Sequence, residues 1–149
     1  MKELAIIPFI YIRIDRAGKR IGLQYANRYY SSAGYGINIL ATKFNTEVEQ
    51  IPSDKLLENS IACSLDNSTY IKSPININQI SPELKELLLS INIDNLLNNI
   101  TKFISVRTGD IIAIETQHIE SCKKYLYPQE ITTKIIPVDL NNIVFNIIF

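Results

Sequence analysis

Residues 100–117 read ITKFISVRTGDIIAIETQ. The stretch passes from helical apolar spacing through a polar Gly-Asp step into a β-branched run. With the residues before it, DNLLNNITKFIS (94–105) places Leu97, Ile100 and Ile104 on one stripe. That spacing predicts a helix, with Asp94 as the N-cap candidate. Thr108-Gly109-Asp110 predicts a turn. IIAIET then predicts a buried strand. Helix, Gly-Asp turn, strand is the most informative order of elements in the chain.

On the N-terminal side, ELAIIPFIYIRI (3–14) is β-branched and aromatic. Ile10, Ile12 and Ile14 alternate with Tyr11 and Arg13, which predicts a half-buried strand. Pro8 gives no N–H and suits an edge, a bulge or a strand's beginning. DRAGKR (15–20) predicts a turn about Gly18. GLQYANRYYS (22–31) has Leu23, Ala26 and Tyr30 at helical spacing and predicts a short helix ending in Ser-Ser-Ala-Gly. GINILA (36–41) predicts a buried strand.

Residues 45–60 are polar, with Pro52 and at most one helical turn capped by Ser53. Residues 61–80 suggest short strands and turns, with Asp66-Asn67 at one turn. SPELKELLLSI (81–91) opens with a cap and a Pro at the first helical position, though it also suits a loop leading into a strand. The last third, ITTKIIPVDLNNIVFNIIF, predicts two strands about Asp139-Leu140-Asn141-Asn142. NIVFNIIF is so β-prone that it should pair inside a sheet or across a subunit interface. The chain therefore reads as one domain, 1–149, of mostly β, α+β class with two or three short helices.

The chain has 149 residues, enough for one core, and a formal net charge of zero. Zero net charge argues against nucleic acid or an anionic membrane as the main partner. It also removes charge repulsion as a guard against self-association. The N-terminal apolar run is too short to span a bilayer and lacks a cleavage site. Cys63 and Cys122, without a secretory leader, suggest reduced thiols and a cytoplasmic protein.

Four collinear segments resemble the fumarylacetoacetate hydrolase (FAH) family. ITKFISVRTGDIIAIETQ looks like the family's helix, Gly-Asp turn and G-D-x-I-x-T-G-T-P strand. YIRIDRAGKRI (11–21) looks like its V-V-I-G-K-x-G-K-x-I strand and turn. QYANRYYSSAGYGINILATKFN (24–45) is similar to the approach to G-x-x-x-x-x-D-x-T-A-R-D-x-Q. IACSLDNSTYI (61–71) is similar to A-K-x-F-D-x-x-A-P-I-G. The resemblance implies a mixed β-roll or sandwich with short helices, as in the family's C-terminal domain. It also implies that the family's N-terminal part, with its G-x-N-Y loop, is missing. The residues after Gln117 do not follow the family's ending.

Family members hold Mg²⁺ or Mn²⁺ through a Glu-x-Glu pair and the Asp of A-R-D, since hard cations require carboxylates. By the resemblance those positions fall on Ile7, Phe9 and Lys43, with Thr42 in place of the Arg. A lysine ammonium repels a cation. The family's active-site lysine falls on Cys63, and T-G-T-P falls on Ile114, Glu115, Thr116 and Gln117. Gly34, Gly36, Asp66, Gly109 and Asp110 persist as turn formers. The expectation is a degenerate cavity at Ile7, Phe9, Lys43, Cys63, Glu115 and Thr116, with no catalytic residues, no metal and no cofactor.

Other reactive side chains have plain alternatives. Lys43 could anchor an anion or simply keep its head in water. Cys63 and His118 could form a thiolate–imidazole pair, but a thiol in a buried strand is normally inert. Cys122 beside Lys123-Lys124 reads as a loop thiol. Glu115, if buried, needs a partner, and Lys43 is the natural one. Tyr25, Tyr29 and Tyr30 could stack on a ligand or serve as packing residues. Two functions follow. One is a catalytically degenerate protein working through a homodimer or through a hetero-oligomer with a relative. The other is an active hydrolase, isomerase or decarboxylase of a small keto acid. Glu47 and Glu49 have the Glu-x-Glu spacing, but in a polar loop past Lys43.

Overall fold

β1 (Glu3–Ile14) organises the sheet. The structure, a computed structural model, describes residues 3–43, 69–115, 124–126, 135–140 and 143–148. β1 is buried at every position from Ala5 to Ile12, and Tyr11 is 0% exposed. The strand is therefore covered on both faces, and the predicted half-buried alternation holds only at Arg13. Long β-branched side chains suit such a central strand.

β2 (Tyr30–Lys43) lies beside β1. β3 (Thr69–Ile71) follows β2 in the strand order, and β4 (Ile75–Asn76) also pairs with β2. β5 (Ile111–Ile114) and β6 (Lys124–Leu126) pair antiparallel with successive parts of β1. Ile10 faces Ile114 and Arg13 faces Ile111; Leu4 faces Leu126 and Ile6 faces Lys124. Pro8 falls between these two registers, where its missing N–H removes nothing from either ladder. β7 (Ile135–Leu140) and β8 (Ile143–Ile148) form a separate antiparallel hairpin, with Leu140 opposite Ile143. The predicted pair of C-terminal strands is thus present, and Asp139 and Leu140 belong to the strand rather than to the turn.

Two helices follow the short strands. α1 (Pro82–Ile91) starts where Ser81 Oγ accepts the Leu84 N–H at 3.3 Å, with Pro82 in the first turn. The helical reading of 81–91 therefore stands and the loop reading does not. α2 (Ile93–Ile100) follows after one residue, Asn92, whose left-handed backbone (φ 55°) ends α1 and begins α2. Asn tolerates that region better than most residues. Asn92 Oδ1 accepts the Asn95 N–H at 3.2 Å, so Asn92 is the N-cap and Asp94 lies in the first turn. α2 stops at Ile100, short of the predicted end, and Ile104 is 52% exposed.

Three further expectations are corrected. The 22–31 segment forms only a 3₁₀ helix, Leu23–Arg28, and Tyr30-Ser31-Ser32-Ala33-Gly34 already belong to β2. β5 is not buried, because exposed and half-buried residues alternate along it. Gly34 and Gly36 do not sit in turns; both lie within β2 under aromatic rings.

The chain divides into two compact units. One comprises Met1–Phe9, Gly36–Tyr70 and Glu115–Phe149; the other comprises Ile10–Tyr35 and Ile71–Ile114. In the first, Phe9 packs over Gly36, with Ile6, Ile37 and Ile39 buried. In the second, Tyr11 packs over Gly34, and Leu84, Leu88, Ile93 and Leu97 supply the buried helix faces.

The Gly-Asp turn is built as the sequence suggests. Asp110 Oδ2 accepts the Arg107 N–H at 2.7 Å, and Gly109 takes φ 91°, a backbone that glycine adopts most readily. The turn is tied to β1 by Gly109 N–H to Ile14 O and Ile14 N–H to Asp110 O, both at 2.8 Å.

Candidate functional site

The positions assigned by resemblance separate into described and undescribed groups. Ile7 and Phe9 lie one residue apart on β1, so alternation puts both side chains on one face. Both are buried, at 7% and 1% exposure. Phe9 fills the space above Gly36, where a Cβ would lie 2.2 Å from its Cζ. Lys43 is the last residue of β2. Glu115 follows β5 and is exposed, so its carboxylate needs no buried counter-ion. Ile114 pairs with Ile10. Cys63, Asp66, Thr116, Gln117, His118 and Cys122 lie outside the described residues, as do Glu47 and Glu49.

A divalent cation does not fit Ile7 and Phe9. Their side chains are hydrocarbon, and a hard cation needs oxygen donors. Among the described residues, no group of three His, Cys, Asp or Glu side chains gathers as a metal site would require.

A concavity lies wholly within the unit holding the helices. Its volume is about 360 Å³. Tyr30, Ile77, Ile80, Lys85, Leu88 and Asp94 are among its walls. Tyr30 opens β2 and reaches Asp94 in the first turn of α2, donating its phenol to Oδ1 at 2.9 Å. Burial, then the Asp94 hydrogen bond and charge, push the Tyr30 phenol far above its ordinary range. The phenol therefore stays protonated at neutral pH and keeps its hydrogen bond to Asp94, which joins β2 to α2. From the sequence alone, Tyr30 reads as a helix residue and Asp94 as a cap. Their contact leaves no local signal because they are 64 residues apart.

No protein-family model and no curated protein sequence matches the chain. Solved structures do. A Yersinia pestis CO92 protein assigned to the fumarylacetoacetate hydrolase family matches 99% of this chain and 72% of its own, with a TM-score of 0.61 and 13% identity. A Burkholderia cenocepacia protein assigned as a fumarylpyruvate hydrolase matches 98% of this chain and 66% of its own, with a TM-score of 0.60 and 12% identity. The chain has the fold of the fumarylacetoacetate hydrolase family. Fumarylpyruvate hydrolase from Pseudomonas aeruginosa, solved with Mn²⁺ and pyruvate, matches 83% of this chain with a TM-score of 0.52 and 13% identity. This chain spans 60% of that enzyme's length. The resemblance stated from sequence is thus borne out at the level of the fold, at a pairwise identity of 12–13%.

Proposed function

We propose that this chain is a catalytically degenerate protein on the FAH-family fold. It binds no metal and works through protein contacts, as a homodimer or with a related protein. The observation that carries this reading is the Ile7–Phe9 pair. Where the resemblance puts the family's Glu-x-Glu ligands, this chain has two buried hydrocarbons, one of them seated over Gly36. Lys43 at the third ligand position supports the same reading, since an ammonium opposes a cation.

The competing reading, an active hydrolase, isomerase or decarboxylase of a small keto acid, is favoured by the structural neighbours. One of them was solved with Mn²⁺ and pyruvate. One titration separates the two. Thermal unfolding is followed with Mg²⁺ or Mn²⁺, with and without oxalate, against a chelator control, alongside a fumarylpyruvate hydrolysis assay. A site at a hundred times its Kd stabilises a fold by about 2.7 kcal/mol, which is several degrees here. The degenerate reading expects no saturable shift and no hydrolysis. A saturable rise with turnover would overturn it.

A further inference from the structure

Zero net charge hides a strong local imbalance. Seven of the fifteen lysines and arginines lie in residues 13–28 and 102–107, where Asp15 is the one acid. The fold brings parts of these stretches together within one unit. Gly18 and Val106 exchange two backbone hydrogen bonds at 2.9 Å, and the Arg20 N–H reaches Thr101 O at 2.8 Å. The Ile21 N–H reaches Thr101 Oγ1 at 3.0 Å. Thr101 and Val106 are thus both fastened to the 18–21 turn, and Lys102-Phe103-Ile104-Ser105 projects between these anchors.

All four projecting residues are exposed. Phe103 is 86% exposed and Ile104 52%, although their N–H groups are bonded to Ile100 O at 3.0 and 3.1 Å. Two large apolar side chains on a backbone-bonded tip are held outward by the structure. Lys19, Arg20, Lys102 and Arg107 are exposed on the tip and its two anchoring segments.

We propose that this tip and the turn beneath it form a peripheral binding surface for an anionic phospholipid bilayer. Phe103 and Ile104 enter the headgroup–acyl boundary, while the surrounding lysines and arginines meet the phosphates. A nucleic acid fits less well. Phe103 is the tip's one aromatic and Ile104 offers no stacking face, while Tyr25 and Tyr29 each already have a guanidinium of this chain over the ring, Arg28 at 5.3 Å and Arg16 at 5.9 Å. A symmetric contact with the same patch of a second copy would bring like charges together.

The test is co-sedimentation of the full chain with vesicles of phosphatidylcholine alone or of equal parts phosphatidylcholine and phosphatidylglycerol. A single-stranded oligonucleotide is titrated in parallel. The expected result is partition onto the anionic vesicles only, weakening with salt. Lys19→Glu and Lys102→Glu should each reduce it by at least about fivefold. Phe103→Ser with Ile104→Ser should reduce it by at least about tenfold. Both sites are exposed, so unchanged thermal midpoints show that the variants fold. No partition at low salt, partition indifferent to the Phe103/Ile104 change, or tighter binding to the oligonucleotide than to the vesicles would each overturn the proposal.

Discussion

The ring of Phe9 stands where a side chain at Gly36 would go. A Cβ on Gly36 would lie 2.2 Å from Phe9 Cζ and 2.9 Å from the Tyr70 carbonyl oxygen. A buried ring on one side and backbone on the other leave no easy relief. Gly36→Ala should therefore destabilise by about 3 kcal/mol, at the upper end of overpacking costs. Gly109→Ala meets nothing within 4 Å but keeps a φ of 91°, so it should lose only about 1 kcal/mol, to backbone strain. Urea unfolding of both variants gives the order. Equal losses, or a larger loss at Gly109, would refute the packing account of Gly36.

Thr101 joins α2 to the 18–21 turn. It is 0% exposed; Oγ1 accepts the Ile21 N–H at 3.0 Å and donates to Leu97 O at 2.7 Å. Thr101→Val keeps the shape but strands a buried N–H. That should cost about 1–3 kcal/mol. Thr101→Ser keeps both bonds and should lose about 1 kcal/mol for one buried methyl. Denaturant midpoints should rank serine above valine. The reverse order would mean that packing outweighs the hydrogen bond.

These residues also show what the sequence could and could not tell. The Gly-Asp turn was legible because its determinants are local: a glycine for positive φ and an aspartate reaching back three residues to the Arg107 N–H. The C-terminal hairpin and the cap at Ser81 were legible for the same reason. Tyr30 was misplaced because its spacing with Leu23 and Ala26 imitates a helix, while pairing with neighbouring strands decides its state. Gly34 and Gly36 looked like turn glycines because glycine in a strand is unfavourable. What overrides that penalty is the rings of Tyr11 and Phe9, far off in sequence. The candidate site was read only as a pattern of substitutions. Nothing local to Ile7 and Phe9 marks them as a site, since two buried hydrocarbons read as core; only the resemblance singles them out.

The Tyr30–Asp94 bond ties the start of β2 to α2 across a concave surface. Tyr30→Phe removes the donor and leaves Asp94 partly solvated, so the loss should be about 1 kcal/mol. Asp94→Asn keeps an acceptor and should lose less. A double-mutant cycle over both sites isolates their coupling. Additive losses would mean that the 2.9 Å contact contributes nothing to stability.

Alkaline stability should report three buried or half-buried phenols. Tyr11, Tyr30 and Tyr35 all have pKa values raised above the ordinary 10.0, each chiefly by burial. Tyr11 donates to the Lys72 carbonyl and Tyr30 to Asp94, bonds that need the neutral phenol. A raised folded-state pKa means that the unfolded chain loses its protons first. The contribution is therefore complete below pH 10 and falls as pH rises through the folded values. Urea midpoints should be flat toward pH 10 on this account and then drop. Phenolate absorbance of the native protein should lag that of the unfolded chain. Tyr30→Phe should flatten the drop, because it removes the phenol shifted furthest. A native titration matching the unfolded one would show that these phenols are open to water, and with it the burial of Tyr11 beneath Gly34 would fail.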